Sequence, residues 1–517
     1  MKIGKYLAFV GVALVLVAVS LPLSAQERML RAAIAAADAG SLDPHRSSAS
    51  QDVAVFNWMF DALVRFPPGS NDPARLEPSL AERWESSSDG LVWTFHLRRG
   101  VRFHHGYGEL DADDVVYSLR RAADSRRSSF ASDFTEFRAI EAVDQRTVRI
   151  TLARPIPTVL GVLSNYHGGL IVSRRAAEEM GDGFRNRPIG TGPFAFDAYA
   201  PQSSVTLIAN RDYFRGRPQI AGIVLRYINS DTTRELAFAS GELDMVQGRR
   251  EQRWVERMRA QRGAVVDVFA PGETRTLFFN MNIPPLNDIR VRRAIAHAID
   301  IGAIIRFVGA SVAVPARSVV PPGYLGETGD VPRIEPDLAR ARALLAEAGY
   351  PNGVTLRAVV SQISAQLPIM EQIQAQLRRV GITLDMEVVD HTTYHAKIRQ
   401  NVSALVFYGA ARFPIADSYL TQFYHSRSSI GTPTAELNFS HCDAADADID
   451  AARGEPNRER QLMLWAVAQR KIMEQVCSVP LFDLMQVWVR RDTIDLGYRL
   501  EGDMNLTPAI TEATRLQ

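Results

Sequence analysis

Residues 76–121 read LEPSLAERWESSSDGLVWTFHLRRGVRFHHGYGELDADDVVYSLRR, and this stretch decides the fold. Apolar and polar side chains alternate over residues 91–97, as they do in a strand with one buried face. Two glycines then allow turns. The run over 115–121 is typical of a helix, and Asp111 or Asp113 is expected to cap it. The stretch therefore predicts a strand, turns and a capped helix in close succession.

A second pattern indicates an α/β protein. Residues 354–360 and 382–388 alternate like strands, and residues 368–380 between them carry apolar side chains at helical spacing. A strand, helix and strand in this order predict a parallel pair with a right-handed crossover. The chain has 517 residues, which is too many for one hydrophobic core, so two or more lobes are expected.

The opening stretch resembles the signature of the family 5 extracytoplasmic solute-binding proteins of ABC importers, the oligopeptide-, dipeptide- and nickel-binding type. Members carry a Trp-x-Phe-x-Leu-Arg strand, then Gly-Val-x-Phe-His-x-Gly and an Ala-x-Asp-Val-x-x-Ser helix start. The matching positions here are Trp93, Phe95, Leu97, Arg98, Gly100, Val101, Phe103, His104, Gly106, Ala112, Asp114, Val115 and Ser118. Other matching segments are 189–194, 210–214, 278–281 and 291–295.

The resemblance implies an α/β periplasmic-binding-protein fold of the dipeptide-binding type, with two lobes joined by a hinge and three domains. The implied boundaries are 26–68, 187–274 and 487–517 for domain I, 69–186 for domain II and 275–486 for domain III. The ligand site would lie between the lobes, where clefts form, and closure about the hinge would bury the ligand.

The N-terminus predicts export. Lys2 and Lys5 precede an uncharged apolar run that ends at Ala25, as in a secretory signal peptide over residues 1–25; an uncleaved anchor is the alternative. The mature protein is therefore expected in the periplasm. Removing the two lysines changes the formal net charge from +1 to −1, so no basic surplus points to nucleic acid.

The two cysteines are the first candidates for a chemical site. Cys442 and Cys477 would meet an oxidising compartment, where they either form a disulfide or stay as two buried thiols. Two cysteines so far apart predict no metal site. The sequence has no Gly-x-Ser-x-Gly elbow and no His-Glu-x-x-His pair, so we expect no enzyme and no cofactor. An exported hydrolase and a signalling receptor or chaperone are the less favoured classes.

Residues 407–417 are the most informative about the ligand. They resemble the cleft loop of peptide-binding members, which reads roughly Trp-x-Ala-Asp-Tyr-Pro-Asp-Pro and whose first Asp takes the peptide's α-ammonium group. Alignment on Pro414 puts Arg412 at that position, and arginine suits a carboxylate. Asp417 would supply the amine contact in another register. The remaining candidate ligand contacts are Tyr408, Phe413, His45 and Arg46 in the early loop 41–48, and Arg275 and Asn280 at the crossover into domain III.

The function that follows is capture of a solute for an ABC importer. The family default is a peptide or peptide-like solute; the alternative, favoured by Arg412, is an anionic solute such as an opine, an acidic peptide or a metal–chelator complex. The expected partners are the permease and ATPase subunits, and the expected state is a monomer.

Overall fold

The computed structural model describes residues 28–47, 49–164, 168–363, 365–432 and 437–517. The predicted signal peptide, residues 1–25, lies outside the described residues. The strands are β1 (Met29–Ile34), β2 (Val64–Arg65), β3 (Glu77–Pro78), β4 (Ala81–Ser86), β5 (Val92–Leu97), β6 (Phe137–Asp144), β7 (Thr147–Leu152), β8 (Phe194–Ala200), β9 (Ser204–Ala209), β10 (Gly222–Tyr227), β11 (Met245–Gln247), β12 (Ala264–Phe279), β13 (Ala313–Pro315), β14 (Val354–Ser361), β15 (Ile382–Val389), β16 (Leu405–Ala410), β17 (Ser478–Arg491), β18 (Ile494–Asp495) and β19 (Arg515–Leu516).

The α-helices are α1 (Ser50–Met59), α2 (Ala112–Ala123), α3 (Val159–Val162), α4 (Arg174–Met180), α5 (Asp231–Ala239), α6 (Gln252–Arg259), α7 (Ile289–Ala298), α8 (Ile301–Val308), α9 (Leu338–Glu347), α10 (Leu367–Arg378), α11 (His391–Ile398), α12 (Ala416–Tyr424), α13 (Asp446–Gly454) and α14 (Arg458–Glu474). Over the described part of the chain, none of these helices has the length and apolar character that a bilayer-spanning segment needs.

One mixed sheet joins two lobes. Its order is β16-β12-β17-β11-β1-β10-β9-β8, and β13 pairs with β17. The antiparallel strands β12 and β17 run through both lobes: β17 pairs with β11 at its first-lobe end, and β12 pairs with β16 at its second-lobe end. The register of this pair shifts between Phe269 and Glu273. This irregularity marks the crossover between a first lobe that contains β1–β11 and a second lobe that contains β13–β16.

The first lobe contains the signature stretch. Strands β4, β5, β7 and β6 form their own antiparallel sheet, and α2 packs against it. The side chain of Asp111 accepts a hydrogen bond from the backbone amide of Asp114, and the Asp114 side chain accepts one from the amide of Asp111. This capping box confirms Asp111 as the predicted cap and satisfies amides that have no partner within the helix.

The second lobe confirms the predicted strand, helix and strand. Strands β14 and β15 pair in parallel from Val354↔Ile382 to Ser361↔Val389, and α10 connects them. Buried apolar side chains cover both faces of β12 and β16, so a hydrophobic core lies on each side of these strands. Leu277 belongs to one core and Phe278 to the other. The domain boundaries implied by the resemblance stay a prediction.

A disulfide links Cys442 to Cys477 within the second lobe. Their Cα atoms are 5.9 Å apart and both residues are fully buried. The bond ties the segment before α13 to the start of β17. Of the two alternatives left by the sequence, the structure therefore has the disulfide.

Candidate functional site

The two lobes meet at Phe413, which follows β16. Its ring lies so close to Gly161 of α3 that an added Cβ there would come within 2.7 Å of the ring atoms. The centroid of the Phe413 ring is also 5.8 Å from that of Phe66 in the first lobe. Phe66 and Leu76 pack against the second-lobe core. The loop predicted to contact the ligand therefore lies at the interface between the lobes.

Arg412 folds back onto its own lobe. Its Nε donates to Oε1 of Gln422 at 2.5 Å, and its Nη1 donates to the carbonyl oxygen of Ala411 at 2.8 Å. The guanidinium carbon lies 5.5 Å from the centroid of the Phe423 ring, in a cation–π arrangement. These contacts hold the half-buried side chain against α12. A role for Arg412 in binding an anion stays a prediction.

Asp417 is held in a buried ion pair. Only 1 % of the residue is exposed, and its carboxylate accepts hydrogen bonds from Nε and Nη2 of Arg453 at 2.9–3.2 Å. The ion pair connects α12, which contains Asp417, to α13, which contains Arg453. Asp417 is the single acid in residues 409–417, all of which the structure describes. The loop therefore presents no accessible carboxylate to a ligand amine.

A second polar cluster lies at the crossover between the lobes. Glu273 accepts hydrogen bonds from Nη1 of Arg250 at 2.8 Å and from Nη2 of Arg275 at 2.5 Å. Arg250 follows β11, which is parallel to β1, and ligands of α/β sheets bind at the carboxyl ends of parallel strands. Arg275 lies across Gly409, where an added Cβ would come within 2.4 Å of Nη1. We call Arg250, Glu273 and Arg275 the hinge triad.

The hinge triad places one carboxylate between two guanidinium groups, which are always protonated in proteins. Burial alone would raise the pKa of Glu273, but Arg250 and Arg275 outweigh it and lower that pKa to about 2. Burial lowers the pKa of Arg275, and Glu273 opposes this shift. The triad thus contains two cations and one anion, with a net charge of +1.

Two histidines of the second lobe border the triad. Nδ1 of His391 is 2.9 Å from Oγ of Ser361, and its Nε2 is 3.2 Å from Nε2 of His395. Partial burial and the charge of Arg275 lower the pKa of His391, and burial lowers that of His395 to about 4. Both rings are therefore neutral at pH 7. They supply hydrogen-bonding groups but no charge.

The early loop contributes a buried network. His45 is fully buried; its Nδ1 accepts from Nη1 of Arg121 at 2.9 Å, and its Nε2 donates to the carbonyl oxygen of Leu170 at 2.9 Å. Burial, followed by the charge of Arg121, lowers the pKa of His45 to about 4. Arg46 is exposed and forms an ion pair with Asp182 at 3.1 Å. Ser48 lies outside the described residues. These contacts favour a structural role for His45.

Asn280 and Tyr408 lie inside the second lobe. Asn280 is fully buried; its Nδ2 donates to Oδ1 of Asn401 at 2.6 Å and to the carbonyl oxygen of Ser403 at 3.3 Å. Tyr408 packs against Phe439, with ring centroids 5.1 Å apart. The structure therefore brings Arg412, Phe413 and Arg275 to the boundary between the lobes, and it places Asn280 in the core.

Sequence reasoning missed Arg250 and Glu273. Glu273 and Arg275 are two residues apart, a spacing that puts side chains on one face of a strand, and this was the available signal. Arg250 reaches the pair from another element, so no local pattern could have indicated it. Among the residues that the structure describes, no group of three or more His, Cys, Asp or Glu side chains is arranged to hold a metal ion.

Two lobes on shared strands, with polar groups at their boundary, are the architecture of a protein that binds a solute between its lobes. Residues 75–430 match the profile of the "Bacterial extracellular solute-binding proteins, family 5 Middle". The match covers more than half of the chain, and the chain belongs to this family. It is a solute-binding protein of the kind that serves ABC importers.

Individual relatives differ in what they bind. The solved structure of MoaA from A.tumefacien R10, in complex with mannopinic acid, is 45 % identical and has a TM-score of 0.87, covering 95 % of this chain and 100 % of its own. Di/tripeptide-binding protein 2 of Pseudomonas aeruginosa is 29 % identical over 93 % of this chain and 94 % of its own. Heme-binding protein A of Haemophilus influenzae is 28 % identical over 82 % and 81 %.

Proposed function

We propose that the solute of this protein is a small anion of the opine type, that is, an amino acid with a further substituent on its nitrogen. The observation that supports this most is the buried pair of Asp417 and Arg453, which leaves the interface loop without an accessible carboxylate. The α-ammonium group of a peptide finds no acid in this loop. Arg250 at the lobe crossover suits a carboxylate instead.

Similarity to a relative supports the same proposal. MoaA, which is 45 % identical and aligns over almost the full length of both chains, was solved with mannopinic acid. A peptide or peptide-like solute is the second candidate. It is favoured by the similarity to di/tripeptide-binding protein 2, which covers 93 % of this chain.

We also propose a wider setting, which the family membership supports. The chain is exported through a signal peptide and works as a monomer in the periplasm. Its two lobes close on the solute, and the closed form delivers the solute to a permease driven by an ATPase. Binding and closure need no chemical step, because a solute that prefers the closed state shifts the population toward it.

A thermal-shift comparison tests the solute class. We expect mannopinic acid to raise the melting temperature of the mature protein and di- and tripeptides to leave it unchanged. A ligand at 1,000 times its Kd stabilises the folded state by about 4 kcal/mol, which for a chain of this size corresponds to a shift of about 4 °C. A shift with peptides and none with mannopinic acid would reverse the assignment.

A further inference from the structure

The members of the hinge triad differ in exposure. The side chains of Arg250 and Glu273 are 24 % and 20 % exposed, whereas that of Arg275 is 4 % exposed. A solute between the lobes can therefore touch Arg250 and Glu273. Arg275 is almost fully enclosed by protein and holds the Glu273 carboxylate in place through a hydrogen bond of 2.5 Å.

Arg250 retains donors for an acceptor. Within the described residues, its one hydrogen bond goes to Glu273, although a guanidinium carries five N–H groups. Arg234, an arginine of the same lobe, makes four hydrogen bonds: to three backbone carbonyl oxygens and to Asp231. The fold itself therefore uses four of the five N–H groups of Arg234. The remaining N–H groups of Arg250 have the geometry for a carboxylate, which takes two parallel hydrogen bonds from one guanidinium.

Glu273 retains acceptor capacity. Each carboxylate oxygen has two lone pairs, and the two bonds from Arg250 and Arg275 use one on each oxygen. The carboxylate is ionised at every physiological pH, since its pKa is about 2. A positively charged nitrogen of the solute can therefore bind to the Glu273 carboxylate, next to Arg250, and the carboxylate does not have to lose a proton first.

We propose that the hinge triad binds the zwitterionic amino-acid head group of the solute. Arg250 takes the carboxylate, Glu273 takes the charged nitrogen, and Arg275 positions Glu273. This inference rests on the proposed function, because it assigns the recognition of an opine-type solute to particular residues. It also replaces Asp417, the amine contact considered from the sequence, with Glu273.

Charge balance adds a selection rule. The triad carries a net charge of +1, and the neighbouring His391 is neutral at pH 7. A solute that carries a second carboxylate beside this zwitterionic head group has a net charge of −1 and neutralises the triad on lobe closure. An uncompensated charge in a closed cleft is costly, so a simple zwitterion is expected to bind less well than an acid of this kind.

The test measures mannopinic acid, an amino acid substituted on its nitrogen, by isothermal titration calorimetry. The variants are Arg250→Gln and Glu273→Gln. The matched control is Arg249→Gln, because Arg249 is the preceding arginine and its partners are Asp231 and Glu251. We expect Arg250→Gln and Glu273→Gln each to weaken binding by about 10- to 100-fold, the range for a lost charged hydrogen bond. Arg249→Gln should stay within about twofold of the unmodified protein.

A second ligand isolates the role of Glu273. The N-acetylated form of the same acid has no charge on its nitrogen. The unmodified protein should prefer the amine to the N-acetyl form, and Glu273→Gln should lose most of that preference, a result that general damage to the fold does not produce. If mannopinic acid binds but Arg250→Gln behaves like Arg249→Gln, or if Glu273→Gln keeps the preference, the inference is wrong and the proposed function stands. If the unmodified protein does not bind mannopinic acid, the proposed function fails and the inference fails with it.

Discussion

Replacing Asp43 with asparagine is expected to lower the free energy of unfolding by about 3–5 kcal/mol, the cost of leaving one partner of a buried ion pair without the other. The side chains of Asp43 and Arg121 are 1 % and 7 % exposed. Nη1 of Arg121 donates to Oδ1 of Asp43 at 2.8 Å, and its Nη2 donates to Oδ2. The pair joins the loop after β1 to α2, so the variant leaves a buried guanidinium without its counter-charge. Urea denaturation followed by circular dichroism measures the effect.

The matched control for this variant is Asp124→Asn. Asp124 is the residue directly after α2, and its carboxylate forms an ion pair with Arg126, whose side chain is 86 % exposed. Exposed ion pairs contribute little to stability, so the midpoint of unfolding should hardly move. A loss of stability in Asp43→Asn no larger than that in Asp124→Asn would contradict the account of this network.

Replacing Gly161 with leucine is expected to weaken solute binding by about 5- to 150-fold and to keep the lobes apart. A Cβ at this position would lie 2.7 Å from atoms of the Phe413 ring, far inside van der Waals contact. Overpacking of this kind costs about 1–3 kcal/mol, and we expect the cost to apply to the state in which the two lobes are in contact. Because the solute stabilises the closed state, its apparent affinity falls by the same factor.

Two measurements check the Gly161 variant. Calorimetry gives the affinity, and small-angle X-ray scattering should show that solute no longer reduces the radius of gyration. Gly454→Leu is the control, since an added Cβ there meets no atom within 4 Å. The double variant Gly161→Leu with Phe413→Ala should recover part of the affinity by removing the ring. Unchanged affinity in Gly161→Leu would show that the contact between Gly161 and Phe413 has no part in closure.

Much of the fold could be predicted from local sequence. The alternation of apolar and polar residues over 354–360 and 382–388 predicted the strands β14 and β15, and the helix between them predicted that the two strands pair in parallel. Both predictions need only the spacing of the apolar residues and the order of the elements along the chain. The sequence narrowed the cap to Asp111 or Asp113, because capping depends on residues within one turn, and the structure has Asp111. The family signature then indicated the two-lobe architecture, which local patterns do not encode.

The site was less predictable because its partners are distant in sequence. Asp417 was open to an amine role until the structure showed Arg453, 36 residues away, bound to its carboxylate. Arg250 and Glu273 meet only through the pairing of β11, β12 and β17 and the register shift after Phe269. Arg250 does not stand out by type or spacing, and Glu273 is marked only by its two-residue spacing from Arg275, so three-dimensional proximity is what reveals the cluster.

Native mass spectrometry of the protein purified from the cells that make it, followed by denaturation to release the cargo, tests the proposed solute class most directly. We predict one bound species, which after release is a single small acid that contains an amine nitrogen and two carboxyl groups. A mixture of short peptides in its place would contradict the proposal that the protein binds an opine-type anion.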